Sequence, residues 1–471
     1  MSLPTPVGRQ REVLYYRHAG HIVVLGTAGS GKTTLAIHRA KYLGDTAPNK
    51  GRTLLVTFNK MLVTYLDALA PEGMPNVDVH NYHQFARGYL SHRGVLGRFD
   101  IIPPGTRDDV IVAAVEEERQ KSPGVRILQR DPGVLSDEIE WVARMGITRE
   151  SEYLSAARVE RAGVRIARAE RPAVWKLYET YRRIRLERGY KFDWDDLALA
   201  AADEFGRDTS ERVYKHVVID EGQDFSPVML RSLAAAIPTD GTVTFFGDVA
   251  QQIYGARVSW RHAGLQVGTN GIVHFQENYR NTRQIAAFAL SLANGPFFTG
   301  TADMVEPRAP KAEGAPPVLV ECRSTAAERE FIVQTAARLG RNRSVAILLR
   351  DRRTHEGAYL SALRQKKVVV EQLHRDTQVW TAGPRVWVGT YHAAKGLEFD
   401  AVLLPHLDDS SLPDEGRVNM MGDATDVCRE DAKLLYVAIT RARADLLMTY
   451  SGKLTRLLGA VDPTLYQRGK P

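Results

Sequence analysis

Gly26-Thr27-Ala28-Gly29-Ser30-Gly31-Lys32-Thr33 constrains this chain more than any other stretch, because it satisfies the phosphate-binding pattern G-x-x-x-x-G-K-[ST]. Such a loop needs a strand before it and a helix after it. His21-Ile-Val-Val-Leu25 reads as a buried parallel strand, and Thr34 to Leu43 as a helix. The glycines let consecutive backbone N–H groups turn toward one anion, and the helix N-terminus adds partial positive charge. Lys32 is then placed to reach the β- and γ-phosphates, and the Thr33 hydroxyl to ligate Mg²⁺. The expectation is an α/β fold that binds a nucleoside triphosphate.

A chain of 471 residues is too long for one ordinary core and implies two or three domains. Nowhere do about 18 apolar residues run together, which argues against a membrane span. The start, Met1-Ser-Leu-Pro-Thr-Pro6, lacks the basic and apolar regions of a secretory signal. Cys322 and Cys428 are the only cysteines, giving neither a disulfide framework nor a zinc cluster. A cytoplasmic location without membrane association is expected. The net charge of +7 is small for this length, but residues 155–190 hold ten Lys/Arg against four Glu.

Strand signals recur at Thr53–Thr57 and Val77–His80, stop between about 87 and 190, and resume at His216–Asp220, Thr242–Phe246 and Gly271–Phe275. The interruption is helix-rich over Val110–Gln120 and Ser151–Glu170. Arg158, Arg161, Arg165 and Arg168 fall at spacings 3, 4 and 3 on one helical face, followed by Trp175, Tyr178 and Tyr181. Two readings stand for this region: a nucleic-acid track, or a solvated face beside an ordinary core stripe. After a Gly/Pro/Ala-rich loop at 295–317, six more strands are expected, at Val318–Glu321, Ser344–Leu349, Lys367–Glu371, Arg385–Gly389, Asp400–Leu404 and Asp445–Tyr450. The expected division is a first core at 1–86 and 189–270, a helical insertion at 87–188, and a second core at 271–471.

Asp220-Glu221 ends an apolar strand, where side chains project into the cleft beyond a parallel sheet. Two adjacent carboxylates there suit Mg²⁺ binding by Asp220 and polarisation of the attacking water by Glu221. Gly247-Asp248 closes the next strand, and Gln251 behind it is a candidate γ-phosphate contact. Gln10, a helix and a strand ahead of the loop, either faces an adenine edge or is an exposed glutamine.

In combination these motifs resemble superfamily 1 helicases of the UvrD/Rep/PcrA type. They occur in the family's order: Gln10, Gly26–Thr33, Leu54–Lys60, Asp193-Trp-Asp-Asp-Leu197, Val217–Asp224, Gly247–Arg257, Glu277-Asn-Tyr-Arg-Asn281, Val388–Asp400 and Leu435–Ala442. The resemblance implies two RecA-like parallel-sheet cores with ATP between them, single-stranded DNA across their tops, and a 1B-like helical insertion in the first. Carried over residue by residue, Tyr279 would stack on adenine, Arg280 would contact the γ-phosphate, and Arg441 would be an arginine finger supplied in cis. Glu398 would contact the ribose or γ-phosphate side, and Gln251 matches the γ-phosphate sensor. Thr34 and Arg39 join the nucleotide contacts from the helix behind the loop. DNA contacts are expected at Phe58, Asn59, His83, Tyr254, Arg257, Thr390 and His392.

Three departures from the family pattern stand out. Ala256 occupies the position after Tyr-Gly where the family usually has Trp. The segment at Asn81-Tyr-His-Gln-Phe85 replaces a Thr-Phe-His-Ser-Phe-like run. Fewer than about twenty residues separate Glu371 from Arg385, where the family's large 2B insertion belongs. The resemblance thus implies a compact 3′→5′ DNA helicase using ATP and Mg²⁺ at single-strand/duplex junctions, in repair, replication or phage defence. The alternative is a nucleic-acid-sensing ATPase subunit of a larger complex, like the compact helicases of Gabija-type systems, with a partner nuclease or repair protein. A small-molecule P-loop kinase is rejected, because it leaves the second core and Arg441 without a purpose.

Overall fold

The computed structural model describes the chain except residues 1–4, 17–19, 28, 59–62, 65–73, 157–165, 249–259, 261–262, 276–277, 279–280, 299–311, 375–382 and 422–423. Two wholly parallel sheets organise it. The first contains β1 (Gly20–Gly26), β2 (Thr53–Thr57), β3 (Val77–Asn81), β4 (His216–Ile219), β5 (Thr242–Asp248) and β6 (Val267–Phe275), in the order β3-β2-β4-β5-β1-β6. The second contains β7 (Val318–Cys322), β8 (Ser344–Leu349), β9 (Val370–Leu373), β10 (Arg385–Thr390), β11 (Phe399–Leu404), β12 (Ala442–Ser451) and β13 (Gln467–Gly469), in the order β13-β7-β12-β11-β8-β10-β9. Strands β2, β4 and β5 are buried along their whole length, which is why they read as continuous Val/Ile/Leu/Phe runs and not as alternations.

The expected division shifts in two places. Strand β6 pairs with β1, so a boundary at residue 270 would fall inside the first sheet, which runs through Phe275. The insertion also begins later than expected, because helix Tyr82–His92 continues an apolar face past residue 86 and buries Leu90 in the first core. The chain leaves and re-enters that core at a bridge between Ile101 and Phe192, with Ile102 N–H donating to Phe192 O and Phe192 N–H to Asp100 O. Asp193 anchors this root, accepting from Arg107 Nε and Tyr181 Oη at 2.6 Å each.

Between those points lie helices Pro104–Lys121, Pro132–Met145, Glu150–Ser155 and Arg171–Glu187 around a separate apolar cluster. Trp175, Tyr178 and Tyr181 belong to that cluster, at no more than 5% exposed, so the aromatic stripe is core and not a base-stacking track. Of the helix-rich stretch expected over Ser151–Glu170, the described residues form a short helix at Glu150–Ser155 and a 3₁₀ turn at Arg168–Glu170. Arg168 sits exposed in that turn, with extended Ala167 before it. Arg158, Arg161 and Arg165 lie outside the described residues. In the second core, Lys367 adopts a left-handed φ of 54° after helix Arg352–Gln365, which delays the strand expected at Lys367 to Val370. No helix among the described residues is long and apolar enough to cross a membrane.

Candidate active site

The loop after β1 carries the phosphate motif, and helix Lys32–Lys41 starts at its last glycine. Gly31 has φ +78° there, and a Cβ on it would come within 2.9 Å of Gln10 Nε2. That amide donates to Ser30 O at 3.1 Å, so Gln10 is seated on the loop and is not a free surface glutamine. Lys32 Nζ crosses the loop, donating to Gly26 O at 3.0 Å and Thr27 O at 2.7 Å, with Asp248 at 3.8 Å. Thr27 and Ser30 are buried with hydroxyls that have no hydrogen-bond partner among the described residues. Gly29 follows in a left-handed conformation, and Thr34 begins the helix body. Ala28 lies outside the described residues.

Arg39, expected among the nucleotide contacts, is instead used inside the first core. Its side chain is fully buried, and Nη1 donates to Leu14 O at 2.7 Å, tying the Gln10-bearing helix Arg9–Tyr15 to helix Lys32–Lys41. Burial pulls this guanidinium down to about 10.

Asp220 and Glu221 follow β4. Asp220 is 1% exposed; it accepts a hydrogen bond from the Thr33 side chain, and its Oδ2 has no hydrogen-bond partner among the described residues. Burial first, and then the Glu221 carboxylate, push its acidity toward the protonated form. Glu221 holds a left-handed φ of 51°, a costly conformation for a residue with a Cβ and one that collects at functional sites. Burial also works against a charge on Glu221, yet Lys395, Arg441 and Lys32 together hold it below its ordinary value. Gln223 fixes this carboxylate through Nε2, while its Oε1 accepts the Asp248 N–H at 2.9 Å.

Two of the three cations around Glu221 come from the second core. Arg441, 2% exposed, donates from Nε to Val437 O at 2.9 Å, and from Nη2 to Thr440 Oγ1 at 3.3 Å. Lys395, in the turn after β10, is ion-paired with Asp224 of the first core. Asn281 ties the segment before helix Arg283–Ala293 to the start of β12, donating from Nδ2 to Thr440 O at 3.1 Å and to Ala442 O. The pair Asn278–Asn281 is mutually hydrogen-bonded, so the chain flanking Tyr279 and Arg280 is held beside Arg441. Tyr279 and Arg280 themselves lie outside the described residues, as do Gln251, Tyr254, Arg257 and Asn59.

Family comparison agrees with this two-core arrangement. The UvrD/REP helicase N-terminal domain matches residues 8–271, more than half the chain, and the UvrD-like helicase C-terminal domain matches residues 369–453. The chain belongs to the UvrD/Rep helicase family. It is 25% identical to the ATP-dependent DNA helicase UvrD2 of Mycobacterium tuberculosis over an alignment of 572 residues, covering 94% of this chain and 80% of that protein. A probable DNA helicase of Mycoplasma pneumoniae is 23% identical over 460 residues, covering 90% and 80%. A probable DNA helicase II homolog of Rickettsia conorii is 39% identical over a 69-residue stretch, 15% of this chain and 10% of that protein. An ATP-hydrolysing DNA helicase is therefore the enzyme class of this chain.

On the helicase's first core, Phe58 follows β2 and His83 opens the helix after β3. Asn81 and Gln84 form a capping box, with Gln84 N–H on Asn81 Oδ1 at 3.0 Å and Asn81 N–H on Gln84 Oε1 at 3.1 Å, which fixes the start of the helix that carries His83. Phe58, His83 and Trp194 then form one edge-to-face cluster, at 5.8 and 5.6 Å between centroids. On the second core, Thr390 ends β10 and its Oγ1 accepts the Ala393 N–H at 3.2 Å, while His392 is exposed beside it. Both sets occupy the C-terminal edges of their sheets. Glu398 is within 3.7 Å of Arg443.

Residue type alone does not mark Lys395, Asp224, Gln223 or the Asn278–Asn281 pair as functional. All lie inside the family motifs Val217–Asp224, Glu277–Asn281 and Val388–Asp400, and the motif is the sequence signal that marks them.

Proposed function

We propose that this helicase is a motor that moves 3′→5′ along single-stranded DNA and displaces the complementary strand, completing its ATP site only when the two cores close. The observation that carries the reading is the setting of Glu221: one cation from its own core, Lys32, and two from the other, Lys395 and Arg441. In this reading Lys32 neutralises the β- and γ-phosphates of ATP, and the backbone of Gly26–Thr34 cradles them. Gln10 meets the adenine edge. Glu221 orients the attacking water and accepts its proton.

Mg²⁺ fits the pair Thr33 and Asp220, because a buried carboxylate oxygen with no partner among the described residues stands next to a hydroxyl in the phosphate loop. Held by Thr33 and Asp220, the ion would supply positive charge against the phosphates. Arg441 stabilises charge that develops on the leaving phosphates, and Gln251, Tyr279, Arg280 and Glu398 complete the nucleotide contacts by resemblance. Single-stranded DNA crosses the C-terminal edges, stacking on Phe58, His83 and Tyr254, with Asn59, Arg257, Thr390 and His392 on its backbone.

A compact form without 2B accompanies this reading. The UvrD2 alignment runs over more positions than this chain has, so that relative carries residues without a counterpart here. Strand displacement on 3′-tailed, 5′-tailed and blunt duplexes tests the proposal, with ATP turnover measured alongside. Displacement of the 3′-tailed duplex alone is expected. DNA-stimulated turnover without displacement of any substrate would favour the nucleic-acid-sensing ATPase subunit instead.

A further inference from the structure

Helix Pro132–Met145 of the insertion ends on Gly146, at φ +68°, where a Cβ would come within 2.3 Å of Val228 Cγ2. Only a glycine lets this helix end seat so closely on helix Pro227–Ala235, which starts just past the Asp220–Asp224 motif. In the last turn of the seated helix is Arg144. Its Nη2 donates to Asp224 O at 3.3 Å, and its Nη1 pairs with Glu140 Oε1 at 3.1 Å. Asp195 adds a further acidic neighbour to this guanidinium.

Asp224 is therefore held from two sides by parts of the chain far apart in sequence. The insertion holds its carbonyl through Arg144, and the second core holds its carboxylate through Lys395. Its own N–H closes the turn onto Glu221 O at 3.0 Å. Lys395 is also the leading cation acting on the Glu221 carboxylate. The consequence is a continuous polar path from the insertion, through Asp224, to the second core and Glu221.

We propose that Arg144 is a positioning residue for ATP hydrolysis: it fixes the turn that presents Asp224 to Lys395, so that seating of the insertion and closure of the two cores are coupled through one residue. Arg144 has no part in the phosphate cradle, so its effect falls on turnover and not on ATP affinity. A lysine in its place keeps a donor and a charge, and retains much of the effect. The inference rests on the two-core reading of hydrolysis but not on strand displacement or polarity.

The test is a double-mutant cycle in the full chain with Arg144→Met, Lys395→Met and the pair. ATP turnover is measured across ATP concentrations with saturating oligo(dT), and thermal unfolding is recorded for each protein. Arg144 is partly exposed, which makes its truncation compatible with the fold, and Arg144→Gln serves as a milder variant. Arg144→Met is expected to lower kcat about tenfold, the scale of a lost charged hydrogen bond, with KM for ATP within about twofold. Arg144→Lys should stay within about threefold of wild type. The double variant should fall no further than Lys395→Met alone, because both residues act through Asp224. Losses that multiply, an unchanged kcat in Arg144→Met, or a loss that Arg144→Lys does not relieve would each overturn the proposal. Wild-type turnover with and without oligo(dT) separately tests activation by single strands, and the cycle is read within the oligo(dT) arm alone.

Discussion

Glu221 illustrates how much chemistry a single position can concentrate. Its left-handed backbone turns the carboxylate out of the strand direction, Gln223 holds one oxygen, and three cations keep it ionised despite burial. Removing the charge while keeping the shape should separate binding from chemistry. Glu221→Gln is expected to bind ATP within a few-fold of wild type and to turn it over roughly 10²–10⁴ times more slowly, the usual contribution of a general base. Near-wild-type turnover would mean another group orients the water. Lys32→Ala should show the opposite pattern, losing nucleotide affinity first, which a fluorescent nucleotide titration reads directly. Arg39 gives a lesson of a different kind. An arginine one helix turn or two behind a phosphate loop looks like a ligand on residue type, but three-dimensional packing spends it on Leu14 O and Thr244 Oγ1.

At the scale of elements, the strands announced themselves because parallel strands buried on both faces must be continuous apolar runs. The ends of elements were less legible, since they depend on single residues. Lys367 in a left-handed conformation moves a strand start, and helix Tyr82–His92 carries the first core past its expected limit. Strand β13 was missed because Gln467-Arg-Gly469 has no apolar pattern; it is held by pairing with β7. His216 at the start of β4 makes a testable contribution to element stability. Its ring joins Thr242 Oγ1 of β5 at 2.9 Å and Asn49 O at 3.0 Å, and burial lowers its pKa to about 4. The unfolded chain would take up this proton from about pH 6.5 downward, while the folded one resists until about 4. The His216 contribution is therefore complete above about pH 6.5 and is lost as pH falls through that window. Thermal unfolding at pH 7 and pH 5 should show a smaller drop for His216→Gln than for wild type. Equal drops in both proteins would exclude this histidine as the source.

For the whole molecule, the contiguous motifs were readable because phosphate, metal and water each demand particular residues within a few positions. What joins the parts was not readable. Lys395 and Asp224 are 171 residues apart, and Asn281 reaches Thr440 across 159, so no local pattern in the chain reveals either pairing. Those long-range contacts join the two cores into one site, and Arg441 is a cation that the second core brings to Glu221. The measurement that bears on this joined site most directly is ATP turnover of wild type and Arg441→Ala with saturating single-stranded oligonucleotide, with nucleotide affinity taken in parallel. Arg441→Ala should bind ATP within a few-fold of wild type and lose roughly 10³-fold or more in turnover, and Arg441→Lys should not recover it, since an ammonium lacks the planar fork. Turnover close to wild type in a folded Arg441→Ala protein would contradict the account, because the first core would then hydrolyse ATP without the second.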